Sequence, residues 1–175
     1  MRSDYVLRDS FCHLLAALMP QNQLVLEVSL ATGLRLSDVL NLRTDRLSRR
    51  MTITELKTGK KRRVSFPVEL YDRLVANAGK IFVFEHRLDY RKHRTRQAVY
   101  KDIKRAAHLF RMPGNLQISP HSARKIYAVE EYHRTGSIKR VQQLLNHSDE
   151  AVTMLYAMAD ELVRRKMPKK GPNLP

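Results

Sequence analysis

Helical periodicity runs through most of this 175-residue chain and breaks once in earnest, between residues 51 and 67. There Met51-Thr52-Ile53-Thr54-Glu55-Leu56 alternates and carries β-branched residues, Lys57-Thr58-Gly59-Lys60 supplies a turn, and Arg63-Val64-Ser65-Phe66 runs to Pro67. Alternation of period two on both sides of a glycine turn is the pattern of an antiparallel hairpin. The pattern predicts a mainly α fold with a small antiparallel β-sheet, an α+β arrangement.

The helices are set out by their apolar spacing and their punctuation. Phe11, Leu14, Leu15 and Leu18 predict a helix over 9–19 that Pro20 stops, and the apolar stretch 24–31 ends at Gly33, where a left-handed residue can close a helix. Ser37-Asp38 is expected to cap a short helix holding Val39, Leu40 and Leu42. Residues 68–76 read as a helix and 81–84 as a short buried strand or extended segment. Thr95 caps a helix whose inner side is expected to hold Ala98, Val99, Ile103, Ala106 and Phe110. Pro113-Gly114-Asn115 is a loop, Ser119-Pro120 starts a helix that runs to Gly136, and Ser137 starts another with Val141, Leu144 and Leu145 inside. A last apolar cluster at 152–158 precedes a basic tail over 160–175. With no internal repeat and no linker, one domain over 1–175 is expected.

Composition narrows the class. No apolar run approaches the ~18 residues of a membrane span, and a single cysteine, Cys12, excludes an internal disulfide. The first residues lack the order of a secretory signal, so a cytoplasmic protein is expected. Thirty-three lysines and arginines against seventeen acids leave a net charge of +16, the balance that long polyanions select for. Nine of those cations fall between Arg87 and Arg111, against two aspartates.

Five places at the ends of elements carry side chains suited to phosphodiester chemistry: Arg35 between two helices, Lys57 at the hairpin tip, His121 with Arg124 in the first turn of one helix, His147 after another, and Tyr156. Taken singly, each has an ordinary reading as a cap, a solvated charge or a core aromatic. The pair His121 and Arg124 says most, because two cationic donors at a helix N-terminus are electrostatically awkward unless an anion binds there.

Together these pieces resemble the catalytic domain of the tyrosine recombinases, the phage integrase family. The match runs in order through Thr32-Gly33-Leu34-Arg35-Leu36-Ser37-Asp38, Lys57-Thr58-Gly59-Lys60, Pro120-His121-Ser122-Ala123-Arg124, Leu144-Leu145-Asn146-His147-Ser148 and Thr153-Met154-Leu155-Tyr156. The chain departs from the family pattern at Lys125, where a second histidine is common, and at Asn146, where glycine is common and the turn presenting His147 is at stake. The resemblance also implies a separate N-terminal DNA-clamping domain, for which this chain has no room; an isolated or naturally single catalytic domain is expected.

What the resemblance implies is a site-specific DNA recombinase working without metal, other cofactor or ATP. Arg35 and Arg124 would neutralise the non-bridging oxygens, His121 would help Tyr156 ionise, Lys57 would protonate the departing 5′-oxygen and His147 would hydrogen-bond the phosphate or leaving group. Asp38 would orient Arg35 rather than hold a metal. Lys60, Lys61, Arg62, Arg94, Arg96, Lys101 and Lys125 are the expected grips on double-stranded DNA, and the expected assembly is a homotetramer on two synapsed duplexes, with the tail after Tyr156 docking on a neighbour. Two other readings stay open: an inactive or regulatory DNA-binding module with the same fold, and a topoisomerase using the same residues.

Overall fold

The computed structural model describes residues 5–110 and 117–146. Its elements, in chain order, are α1 (Arg8–Ala16), α2 (Pro20–Thr32), α3 (Leu36–Leu40), β1 (Arg50–Thr54), β2 (Lys61–Ser65), α4 (Val68–Ala76), α5 (Arg96–Leu109), α6 (Pro120–Thr135) and α7 (Ile138–Leu145), with one 3-10 turn at Thr44–Arg46. The expected mainly helical α+β class is what forms.

Helix α2 is the centre of the molecule. Leu24, Val25, Leu26, Val28 and Leu30 leave it apolar on most sides, and it is packed by α1, α3, α4, α5 and α6. A helix apolar over most of its circumference has to be buried on those sides, and the core closes on it with Phe11, Leu14, Leu34, Leu40, Leu74, Phe84, Ile103 and Ile126. A second, smaller cluster of Ala128, Val141 and Leu145 fastens α7 to α6.

Pro20 opens α2 instead of merely ending α1: α1 stops at Ala16, and proline occupies the first helical position, where its missing N–H costs nothing. No side chain of α2's own entry caps it. Asp102 on α5 does so from across the fold, its Oδ2 accepting from the Met19 amide at 2.8 Å and from Asn22 Nδ2 at 2.7 Å. A carboxylate at that end complements the helix dipole.

The hairpin pairs Arg50 with Ser65 through Thr54 with Lys61, antiparallel, and Gly59 turns it at φ 66°. Residues 81–84, expected as a short buried strand or extended segment, form no strand: Phe82 makes an isolated antiparallel bridge to Arg43, and Val83 and Phe84, both buried, lie in the turn that follows. Thr95 caps α5, accepting from the Ala98 amide at 3.1 Å, but Phe110 at its end is 47% exposed and lies off the inner face. Ser37 and Asp38 fall inside α3 rather than before it; the residue preceding that helix is Arg35, without a side-chain cap.

Candidate active site

The site begins with the reversal between α2 and α3. Thr32 Oγ1 bonds back to the Val28 carbonyl at 2.6 Å, Ser29 Oγ to the Leu34 carbonyl at 2.8 Å, and Gly33 closes α2 at φ 66°. Glycine is required there twice over, since a Cβ would also stand 2.3 Å from Cδ1 of Tyr127. The turn delivers Arg35, whose side chain is 14% exposed, to the head of α3.

Arg35 is held by Glu55. The fully buried carboxylate at the end of β1 takes a hydrogen bond from Arg35 Nη1 and another from Thr58 Oγ1 at 3.0 Å. Asp38 was expected in that role and plays a different one: buried on α3, its Oδ1 accepts from the Leu56 amide at 2.9 Å and so fastens the root of the hairpin tip. Burial pushes the Asp38 carboxyl up from its ordinary range. Burial pushes Glu55 the same way, but Arg35, Thr58 and Arg124 outweigh it and hold Glu55 below its ordinary value, ionised.

Arg62 requires a correction. It was expected to grip DNA, yet it is only 7% exposed: its Nη1 donates to the Gly33 carbonyl at 3.4 Å, its Nη2 to the Thr32 carbonyl, and its guanidinium lies 5.8 Å from the centre of the Tyr127 ring. On β2 it shares the inward face with Val64, and the C-terminal carbonyls of α2 reward a cation there. Arg94 is likewise engaged within the fold, donating to Asn22 Oδ1 near the start of α2, in a groove with Met19, Pro20 and His86. Neither residue stands with the site. Lys60, Lys61 and Lys101 are exposed, and Lys125 is half-buried on α6.

Helix α6 brings the remaining groups. Ser119 Oγ accepts from the His121 amide at 3.2 Å, and the Ser119 amide donates to Ser122 Oγ at 3.4 Å, a reciprocal cap that fixes the first turn. Arg124, three residues on from His121, is buried and bridges two distant turns, donating from Nη1 to the Gly33 carbonyl and from Nη2 to the Leu145 carbonyl. Asn146, the departure from the family pattern, closes α7 at φ 49° and ψ 37°, the left-handed backbone a glycine would have supplied. His147 and Tyr156, and the tail over 160–175, lie outside the described residues.

Arg35, Lys57 and His121 line one cleft of about 380 Å³, together with Arg96, Tyr100, Leu36, Ser37 and Leu56. Burial, and then the charges of Arg124, Arg96, Arg35 and Lys125, push the His121 imidazole below 6.5, so it is neutral at pH 7. A neutral imidazole amid fixed cations can take a proton while the cations hold an anion. A wider groove, about 530 Å³, between α1, α2, α4 and α6 carries Glu27, Glu69, Glu130 and Glu131 against Arg8 and Arg73, which are paired with Glu130 and Glu27, and so offers no cationic surface to a polyanion. Among the described residues no three His, Cys, Asp or Glu side chains gather as a metal site, and no helix is long and apolar enough to cross a membrane.

Sequence reasoning missed Glu55 and Tyr100. Glu55 had one signal, being the lone carboxylate in a hairpin otherwise charged by lysine and arginine; Tyr100 sits one helical turn from Arg96, on the same face.

Residues 8–162 match the phage integrase family. A probable integrase/recombinase YoeC of Bacillus subtilis is 31% identical over 136 residues, covering 74% of this chain and 73% of that protein. The tyrosine recombinase XerD of Lacticaseibacillus casei is 28% identical over 150 residues, 78% of this chain and 50% of its own length. Among solved structures, a lambda integrase dimer bound to a COC′ core site superposes with a TM-score of 0.76 at 18% identity, over 99% of this chain and 52% of that one. The catalytic domain of bacteriophage HP1 integrase gives 0.63 at 22% identity, over 99% and 100%.

The fold is therefore that of the tyrosine recombinase catalytic domain. By the family match over most of its length, this chain belongs to the phage integrase family. It spans 73% of the Bacillus relative but only about half of XerD.

Proposed function

We propose that this chain is the catalytic core of a site-specific DNA recombinase that cuts and rejoins double-stranded DNA through a 3′-phosphotyrosyl link. The observation that carries the reading is the convergence of Arg35, Lys57 and His121 on one cleft. A phosphodiester resists attack because it is already negative and its leaving alkoxide is poor, so a site must supply positive charge and protons. Arg35 offers guanidinium donors to the non-bridging oxygens, and Arg124, anchored on the Gly33 and Leu145 carbonyls, adds its charge to the same pole.

In this scheme His121 accepts the phenolic proton of Tyr156, whose oxygen attacks phosphorus. The P–O5′ bond breaks, Lys57 gives its proton to the departing 5′-oxygen, and His147 hydrogen-bonds the phosphate. A 5′-hydroxyl from another strand then attacks the phosphotyrosine and restores the phenol, so no ATP is spent and no metal enters. Exposed Lys60, Lys61, Arg96 and Lys101, with Lys125 beside the cleft, neutralise flanking phosphates. The relatives include a DNA-bound integrase dimer, which supports an oligomer on DNA; a tetramer on two synapsed duplexes, working in the cytoplasm, is the form we propose.

The deciding experiment mixes the protein with supercoiled plasmid in EDTA at low salt, stops with SDS and probes for protein-linked DNA. An adduct formed by the wild type and lost in Tyr156→Phe, with DNA affinity kept within a few-fold, is the expected result. DNA bound with no adduct would favour a binding module instead.

A further inference from the structure

Three cations gather on the turn that presents Arg35: Arg62 and Arg124 both donate to the Gly33 carbonyl, and Arg35 follows two residues later. Left alone they would repel one another. Glu55 lies among them, bonded to Arg35 through Oε2 and with Oε1 3.9 Å from Arg62 Nη1. Its own backbone closes the hairpin tip, the Glu55 amide donating to the Lys60 carbonyl at 3.0 Å and the Gly59 amide to the Glu55 carbonyl at 2.8 Å, while its carboxylate takes the Thr58 hydroxyl from inside that tip. Lys57 is the residue so enclosed. One buried carboxylate thus touches the arginine and the loop that carries the lysine.

We propose that Glu55 is a positioning residue for strand cleavage, acting through Arg35: it fixes the rotation of the Arg35 guanidinium and sets its distance from the Lys57 loop. The inference rests on the recombinase reading of the cleft. Arginine has five N–H donors in a rigid fork, so fastening Nη1 leaves the remaining edges in one orientation toward the cleft. A carboxylate accepts this bond more strongly than a neutral amide, and inside the fold the charge also balances Arg62. Glu55 does not meet the DNA; its effect is on the rate of the chemical step, with binding to DNA left to the exposed lysines and arginines.

The test uses the full chain with Glu55→Gln, which keeps an acceptor but removes the charge, and Glu55→Asp, which keeps the charge but withdraws it by one methylene. The first readout needs no DNA. Side-chain NMR of Arg35 is expected to show hindered rotation of the guanidinium in the wild type and rotation at least about ten-fold faster in whichever variants fold by thermal melting. Unchanged rotation in a folded variant overturns the proposal. The second readout is the rate of adduct formation on supercoiled plasmid: Glu55→Gln is expected to slow it about ten-fold or more while gel retardation of the same plasmid changes less than about two-fold. A wild-type rate in Glu55→Gln also overturns it. Absence of any adduct from the wild type would instead tell against the recombinase reading, and the rotation measurement would still decide whether Glu55 holds Arg35.

Discussion

Arg62 on β2 and Arg124 on α6 donate to one and the same carbonyl, that of Gly33, and so clamp the turn that carries Arg35 from two elements far apart in the chain. The clamp assigns the two arginines different duties. Arg124 lies within electrostatic reach of His121 and belongs to the site's positive pole; Arg62 holds the scaffold.

Replacing Arg62 by methionine is accordingly expected to cost stability without altering the electrostatics of DNA binding. The Thr32 carbonyl loses its buried donor, for a loss of ~1–3 kcal/mol in urea unfolding. The dependence of DNA affinity on salt should keep its slope in Arg62→Met, whereas Lys60→Ala and Lys61→Ala should each lower the slope by about 1. A slope reduced in Arg62→Met would return this residue to the DNA surface.

Gly33→Ala is expected to be among the most damaging small substitutions in the protein. The left-handed backbone and the 2.3 Å approach to Tyr127 act together, for about 2–4 kcal/mol by denaturant titration. Gly59→Ala has the same positive φ but nothing within 4 Å of the added carbon, so it should cost clearly less.

Arg124→Lys keeps the charge but cannot reproduce a fork spanning the Gly33 and Leu145 carbonyls. Adduct formation is expected to fall at least ~10²-fold, the size of effect seen when a group stabilising transition-state charge is lost. A near wild-type rate would remove Arg124 from the chemistry and leave it a purely structural clamp.

The pH behaviour follows from His121. Because its folded value is depressed below 6.5, the imidazole stays unprotonated through neutral pH, and cleavage should lose rate only as pH falls below 6.5. Stability carries the same sign. Below 6.5 the unfolded chain binds a proton that the native His121 still refuses, so stability should decline as pH falls through that window. His121→Asn should flatten this part of a urea midpoint against pH curve. Glu55 acts lower down: its contribution is present above 4.5 and is lost as pH drops through its lower folded value.

Much of the scaffold is written locally. The Gly59 hairpin, the Thr95 and Ser119 caps, and the left-handed stops at Gly33 and Gly136 all rest on a residue's own backbone freedom or on a bond to an amide two or three positions away. Neighbours in sequence suffice to read such features. The same holds for Arg35, Lys57, His121 and Arg124 as candidates, since they stand at element ends in a recognisable order. The partners of those charges were not legible in this way. Alternation puts Arg62 on the inner face with Val64, but it does not reveal that the Thr32 and Gly33 carbonyls wait there, thirty residues earlier. Nor could the local pattern choose between Asp38 and Glu55 as the carboxylate for Arg35: Asp38 is the nearer in sequence, yet the fold turns it to the Leu56 amide and brings Glu55 in from the hairpin. Sequence by itself determined the elements, their stops and the chemical types available to the site. Tertiary structure decided which charge meets which, because Coulomb attraction and desolvation depend on distance and burial through space, and packing around α2 sets both.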